Sequence, residues 1–407
     1  MWLVTMTNHT AAQNNDIPTE ELITVISQVM DIHDTTVGWE RYALRVRGRL
    51  SIESERAYEQ LEREMLAFGF TPLFRLEGDE HVVLVTPGVV QPKASNPVVN
   101  IVLFVATLLS VLYAGSMQGG AAGEMPFAEP ADFSVWSVAR MLWTGWPFAA
   151  SLLGILLAHE LGHYFAARWH GAPVTLPYFI PLPTGFLGTM GAVIRMKAPI
   201  RNRRALLDIG VAGPLAGLAV ALPVVIVGLE LSEMSVLPTG GFLLEGNSIL
   251  YLLAKFLVHG EFLPRPASYG GMPALLYWVV FFFTGQPAPF GGVDVLIHPI
   301  ALAGWAGLLV TGLNLIPAGQ LDGGHVFYVL IGRAVRKWQP LIIGGLLLLG
   351  LAWRGWWFWA VLIYMFGRQH PQLLDEITPL DPGRRAVALA TLFLFFLVIA
   401  PIPLQIY

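Results

Sequence analysis

The sequence predicts a polytopic α-helical membrane protein with about seven to nine spans and a small cytoplasmic α+β domain at its amino-terminal end. Of its 407 residues, 55% are hydrophobic and 13% are charged, whereas soluble domains carry about 25% charged residues. The charges are also unevenly distributed, because residues 1–97 hold 22 of the 52 Lys, Arg, Asp and Glu side chains. We therefore expect a soluble domain and linker over 1–97 and a transmembrane domain over 98–407.

Several functions are disfavoured by composition alone. The chain contains no cysteine, so a disulfide framework, a thiolate zinc site and a catalytic thiol are excluded, and any metal must be bound by His and carboxylates. A net charge of −4 argues against a nucleic acid partner. Residues 1–16 have neither a basic region nor a long apolar run, so no cleavable signal peptide is expected.

The soluble region is expected to mix helices with strands. Apolar residues at helical spacing indicate helices, and alternating apolar and polar residues indicate half-buried strands. The region shows no catalytic cluster, so we interpret it as a regulatory appendage that binds a cytoplasmic regulator. The helices are expected over 18–31 and 53–68, the strands over 42–50, 71–75 and 81–86, and a linker around 92–97.

Apolar runs identify the membrane spans, because a helix needs about 20 apolar residues to cross the bilayer core. Shorter runs occur as two adjacent pairs, so the loss of one pair would leave the orientation of the other spans unchanged. The five clear runs cover 98–117, 145–168, 205–229, 298–317 and 386–404; the paired runs cover 247–259 with 272–286, and 339–353 with 356–368.

Loop charges set the orientation, since loops rich in Lys and Arg face the cytoplasm. Residues 118–135 hold three acidic and no basic side chains, whereas residues 168–204 hold six basic ones. The first loop is therefore expected outside and the second inside. We expect a multi-pass protein of the cell membrane with a cytoplasmic amino terminus, in which the helices over 145–168 and 298–317 both end at the cytoplasmic face.

The pattern His-Glu-Leu-Gly-His occurs within the apolar run 145–168. His159 and His163 are four residues apart, so both imidazoles lie on one helical face and can reach one Zn²⁺. Glu160 is then placed to take a proton from a metal-bound water. Ionisable side chains inside a membrane helix are costly and by default indicate function.

A catalytic zinc site needs a third protein ligand, and Asp322 is the best candidate. Pro317 interrupts the preceding helix, and Gly323 and Gly324 permit a sharp backbone, so a carboxylate can turn back into the bundle. His325 is a rival ligand, which we rank lower because it is expected to begin the next helix.

With these motifs the sequence resembles the site-2 protease family of intramembrane zinc metalloproteases over about 140–335. The layout also resembles bacterial relatives of the plastid members named for gravitropism-deficient, yellow-green plants. The resemblance rests on the His159–His163 motif, on Asn314 and Pro317 leading into Leu321-Asp322-Gly323, and on Gly213-Pro214-Leu215-Ala216-Gly217. It implies zinc ligands at His159, His163 and Asp322, a base at Glu160, and a substrate-holding role for Asn314.

Two further segments could have either a functional or a purely structural role. The broken apolar stretch 177–197 is expected to form a re-entrant hairpin beside the active site, with strand character over 191–196, and either pairs with substrate or is a plain loop. Gly213 and Gly217 form a small-residue face that we interpret as ordinary helix packing.

The sequence therefore predicts an intramembrane zinc endopeptidase that acts on a membrane-spanning protein within the lipid bilayer, near the cytoplasmic face. A metal-ion or proton transporter is the alternative, because intramembrane His, Glu and Asp also form ion pathways. Glu160 is superfluous for ion binding but required for hydrolysis, and no inverted repeat of the transporter type is present. An inactive scaffold is disfavoured because the motif residues are intact.

Overall fold

The computed structural model describes residues 18–89, 94–118, 134–366 and 373–407. Expectations for residues 1–16, for part of the linker 92–97 and for most of the loop 118–135 lie outside these ranges. The described chain is mostly helical, with a small α+β region at its amino-terminal end. The coarse fold class predicted from composition is therefore confirmed.

The α+β region packs two helices against one face of a four-stranded antiparallel sheet in the order β1-β2-β4-β3. Tyr58 of α2 and Phe74 of β3 are fully buried in its core and contact each other edge to face. The elements are α1 (Thr19–Ser27), β1 (Met30–Val37), β2 (Leu44–Leu50), α2 (Ser54–Leu66), β3 (Phe70–Glu77) and β4 (Glu80–Pro87).

The first of these helices was predicted too long. The helix expected over 18–31 ends at Ser27, and Met30 begins the edge strand β1, which was not predicted. Most β1 side chains are exposed and its pairing with β2 contains an irregularity between Ile32 and Asp34. An exposed edge strand does not show the apolar alternation on which strand prediction depends.

Helices dominate the rest of the chain. Short strands connect several of them as two-stranded pairs: β5 with β6, β7 with β9, and β8 with β10. The elements are α3 (Pro97–Gln118), α4 (Val135–Thr144), α5 (Trp146–Trp169), β5 (Tyr178–Pro181), β6 (Thr189–Val193), α6 (Arg203–Glu230), β7 (Glu233–Val236), β8 (Leu243–Glu245), α7 (Ile249–His259), α8 (Ala274–Thr284), β9 (Val293–Leu296), α9 (Pro299–Asn314), α10 (Asp322–Ile331), α11 (Val335–Ala352), α12 (Gly355–Phe366), α13 (Pro382–Val398) and β10 (Leu404–Ile406).

Four stretches of the described chain are long and apolar enough to cross a membrane: α3, α5, α6 and the nearly continuous segment Asp322–Ala352. Two runs predicted as full spans form shorter helices, since α9 has 16 residues and α13 has 17. The paired runs 247–259 and 272–286 form α7 and α8, with 11 residues each. At 1.5 Å per residue, each is about 16 Å long, roughly half the thickness of the bilayer core.

The centre of the helical region is the packing of α5, α6 and α9. Glycines allow these helices to approach closely: a Cβ atom on Gly162 of α5 would lie 2.4 Å from the carbonyl oxygen of Ala212 on α6. A Cβ on Gly228 of α6 would likewise lie 2.2 Å from the backbone nitrogen of Ala301 on α9. Close helix approach through small residues is typical of membrane bundles.

At the far end of α6 from the α+β region, a fully buried ion cluster connects β8, α7 and β9. Nζ of Lys255 lies 3.0 Å from Glu245 and 3.1 Å from Asp294. The hydroxyl of Tyr251 also donates to Glu245. Because an unpaired charge in this position would be costly, the cluster fixes how these three elements meet.

The α+β region docks on the helical region through residues 373–378, which we call the docking loop. Leu374 accepts a hydrogen bond from the backbone N–H of Phe74, and Glu376 donates one to the carbonyl of Phe74. The loop thereby extends the β3 edge of the sheet. The carboxylate of Asp375 is fully buried and accepts from the hydroxyl of Ser54.

Candidate metal centre

Helix α5 carries the His-Glu-Leu-Gly-His motif in the middle of the bundle. His159, Glu160 and His163 are all at least nine-tenths buried. The Nε2 atoms of the two histidines lie 3.2 Å apart, because one helical turn places both imidazoles on the same face. This part of the predicted site lies where the sequence pattern placed it.

Asp322 reaches the same point from a distant part of the chain. Helix α9 ends at Asn314, before Pro317, and Asp322 is the first residue of α10. The intervening turn is tight, since a Cβ on Gly323 would lie 2.0 Å from the carbonyl oxygen of Leu315. The glycine therefore allows the close backbone approach that turns the Asp322 carboxylate toward α5.

The three donor atoms form a compact triangle. Oδ2 of Asp322 lies 3.4 Å from Nε2 of His159 and 3.3 Å from Nε2 of His163. Ligands at about 2.0 to 2.2 Å from a tetrahedral zinc ion lie about 3.3 to 3.6 Å from one another. This His-His-Asp group is thus positioned to bind a metal ion, and its donor set suits zinc.

The rival ligand His325 does not belong to this group. Among the described residues, the cluster that could hold a metal at this point consists of His159, His163 and Asp322. His325 lies about one turn further along α10. Its Cβ lies beside Gly210 of α6, 3.5 Å from where a Cβ of that residue would be.

Two neighbouring groups orient the histidines. Nδ1 of His163 donates to the backbone carbonyl of Ile209 on α6, at 2.7 Å, which directs Nε2 toward the triangle. The side chain amide of Asn314 lies 3.4 Å from Nε2 of His159. Asn314 is therefore next to the candidate metal position. The contribution of Ile209 was not predicted, because a main-chain acceptor leaves no signature in the sequence.

The predicted hairpin is present and lies beside Glu160. Strands β5 and β6 pair antiparallel, with Tyr178 opposite Val193. The backbone of Ile194, directly after β6, is next to the Glu160 carboxylate. The strand expected over 191–196 in fact spans Thr189–Val193.

Helix α3 holds this hairpin in place. The side chain of Asn100 donates to the carbonyls of Leu176 and Pro177 at its start. The Ser110 hydroxyl donates to the carbonyl of Gly188, whose φ of +73° is readily adopted by glycine. The backbone carbonyls of this irregular segment are thus hydrogen-bonded by protein side chains, which a re-entrant segment would require.

Comparison with known proteins relates this site to a family of peptidases. Residues 147–349, which include all five predicted site residues, match the family described as Peptidase family M50. The protein described as probable zinc metalloprotease EGY1, chloroplastic, from Arabidopsis thaliana is 32% identical over 264 residues, which cover 63% of this chain and 43% of the relative. Probable zinc metalloprotease EGY2, chloroplastic, from the same plant is 31% identical over 268 residues, covering 65% and 43%.

A third relative from Arabidopsis thaliana, described as probable zinc metallopeptidase EGY3, chloroplastic, is 28% identical over 272 residues. These cover 63% of this chain and 42% of that protein. The matched part of this chain thus spans less than half the length of each of these relatives.

Proposed function

Because residues 147–349 form a peptidase family M50 domain, we propose that the protein is an intramembrane zinc metalloprotease that cleaves a transmembrane substrate near the cytoplasmic face. The main supporting observation is that three donor atoms from α5 and α10 lie within 3.2 to 3.4 Å of one another. A general base candidate, Glu160, directly follows one of the donors in sequence. Ion binding alone would not require it.

In this proposal His159, His163 and Asp322 would hold the zinc ion. When bound, zinc would polarise the scissile carbonyl and make a water molecule easier to deprotonate. Glu160 would take the proton from the attacking water and pass it to the leaving amine. The burial of Glu160 keeps bulk water from competing for this proton.

Asn314 has a separate role in the proposal. Its amide lies beside His159, so it can donate to a substrate carbonyl that approaches the metal. Such a donor is most useful when it is already oriented before the substrate arrives. Asn314 would therefore hold the peptide bond in position without taking part in proton transfer.

The proposed substrate is a membrane-spanning protein in the lipid bilayer. A transmembrane helix uses its carbonyls in its own hydrogen-bond ladder, so it must unwind locally before a base can direct water to one of them. The hairpin of β5 and β6 lies beside Glu160 and offers strand edges to an unwound segment. Substrates with helix-breaking residues near the cleavage position are therefore favoured.

We also propose that the protein resides in the cell membrane with a cytoplasmic amino terminus. The basic segment 195–204 and the α+β region contact each other, since Arg201 pairs with Glu59 and Arg204 with Glu55. The basic segment and the α+β region therefore lie on the same side of the membrane, and the loop-charge rule assigns that side to the cytoplasm.

The docked α+β region is the proposed site of regulation. It is bonded to the start of α6, because the side chain of Asn202, the N-cap of that helix, donates a hydrogen bond to Glu55 of α2. The same helix supplies the Ile209 carbonyl that orients His163. A cytoplasmic regulator that displaces the α+β region would thus act on α6, and through it on a proposed metal ligand.

The transporter alternative has no support from the comparisons. The relatives named above are described as metalloproteases or metallopeptidases. Nothing in their descriptions refers to transport.

One vesicle experiment tests the proposal. The purified protein is reconstituted with a single-span substrate that carries a helix-breaking residue, and both product release and zinc entry into the vesicle lumen are measured. We expect cleavage without zinc entry. A matched Glu160→Gln protein should keep its zinc but lose about 10² to 10⁴ in cleavage rate, the usual cost of losing a general base. Normal cleavage by this variant, or zinc entry without cleavage by the native protein, would refute the assignment.

A further inference from the structure

The face of α6 that lies against the two histidines has no side chain at the point of contact. A Cβ atom added to Gly213 would lie 2.1 Å from Nε2 of His163 and 2.4 Å from its Cδ2. Nε2 is the same atom that points into the donor triangle. The space beside the proposed metal ligand therefore exists only because residue 213 is glycine.

We propose that Gly213 is a positioning residue for the metal site: it forms the seat on which the His163 imidazole lies, so that Nε2 can face Asp322. The inference rests on the proposed zinc site, and it goes beyond the packing role that the sequence suggested for this glycine. Gly217, one turn along, would be a weaker second seat. A Cβ there would lie 3.1 Å from Cβ and Nδ1 of His159.

Helix α6 holds the His163 ring by two contacts that act together. The carbonyl of Ile209 accepts from Nδ1 and fixes the direction of the ring. The bare backbone of Gly213, four residues later and on the same face of the helix, fixes how close the ring can come. Pro214 follows immediately and lacks the N–H that would bond the carbonyl of Gly210, so the ladder is interrupted next to this seat.

The nature of the clash distinguishes a ligand seat from ordinary helix packing. At Gly162 an added Cβ would meet the backbone of Ala212 at 2.4 Å, so the two helices themselves would have to move apart. At Gly213 the Cβ would meet the end of a side chain, which can swing away while the helices stay in place. A Gly213 substitution should therefore displace the ligand and leave the bundle folded.

The first test measures zinc in three alanine variants of α6. Gly213→Ala should bind zinc about 10- to 100-fold more weakly, as expected when an outer contact of a ligand is lost. Gly217→Ala should show a smaller loss. Gly210→Ala is the matched control, because its Cβ would sit at an ordinary 3.5 Å from Cβ of His325, and its zinc affinity should equal that of the native protein. Native zinc affinity in Gly213→Ala would overturn the proposal.

The second test needs no zinc. The thermal stability of the metal-free protein is compared for Gly213→Ala in the native background and in a His163→Ala background. If the imidazole is what the new Cβ meets, the substitution should lower the melting temperature only when His163 is present. Equal destabilisation in both backgrounds would refute the seat and assign Gly213 to helix packing. This outcome is independent of whether the protein is a protease, so failure of the proposed function and failure of the seat can be told apart.

Discussion

The Oδ2 atom of Asp322 lies 3.3 Å from Nε2 of His163, although four helices, α6 to α9, lie between the two residues along the chain. Both side chains are largely withdrawn from solvent. Two such groups that converge inside a membrane protein require a compensating charge or a shared partner. A divalent cation between them meets that requirement.

Zinc content gives the first prediction. The purified protein should hold about one zinc ion per chain, and Asp322→Ala should lose most of it because two histidines supply one ligand fewer than the three protein ligands of a catalytic zinc site. Elemental analysis measures this directly. His325→Ala is the control and should keep its zinc, since its Cβ faces Gly210. Full occupancy in Asp322→Ala combined with loss in His325→Ala would exchange the roles of the two residues.

Asn314 gives the second prediction. Asn314→Ala should keep zinc but reduce cleavage of a membrane-spanning substrate by about 10²-fold, because one oriented donor to the substrate carbonyl is removed. Cleavage kinetics at several substrate concentrations separate kcat from KM, and metal analysis on the same sample checks the site. A variant that loses its zinc would show instead that Asn314 supports His159, which it neighbours at 3.4 Å.

Orientation gives the third prediction. The chain has no cysteine, so single cysteines can be introduced as topology labels. Trp169→Cys, at the exposed end of α5, should react with an impermeant maleimide only after cells are opened. Gly240→Cys, in the exposed segment after β7, should react in intact cells. The reverse pattern would invert the proposed topology.

The docking loop gives the fourth prediction. Asp375→Ala should lower the free energy of unfolding by about 1 to 3 kcal/mol, because the buried hydroxyls of Ser54 and Thr378 and the N–H of Ile377 lose their acceptor. Hydrogen exchange should then become faster in β3, whose edge the loop extends. Asp79→Ala, in the exposed turn before β4, is a matched control and should be neutral. Unchanged exchange in β3 would show that the Arg201 and Arg204 ion pairs suffice for docking.

Local pattern was enough to predict much of the fold. Helices α2, α3, α5 and α6 lie within a few residues of their predicted ranges, because each carries a continuous or periodic apolar signal. The edge strand β1 was missed because its side chains are mostly exposed. The runs 247–259 and 272–286 were predicted as short, and α7 and α8 lie within two residues of those bounds.

The resemblance to the site-2 protease family, based on short motifs, is confirmed by the match over residues 147–349. The structural role of the glycines in the Gly213-to-Gly217 motif could not be predicted from the sequence. Small residues four apart indicate that a neighbouring group packs closely against that face of the helix. Whether that neighbour is a helix backbone or an imidazole depends on which face of α6 meets α5.

The sequence by itself determined that His159 and His163 share one helical face, because four residues make about one turn whatever surrounds the helix. It also determined that the chain provides carboxylates, and no thiolates, to complete a metal site. Only the tertiary structure decided that Asp322 lies within 3.4 Å of His159 and that His325 does not join them. The reason is physical: periodicity fixes neighbours within a helix, whereas distances between helices depend on how α5, α6 and α10 pack.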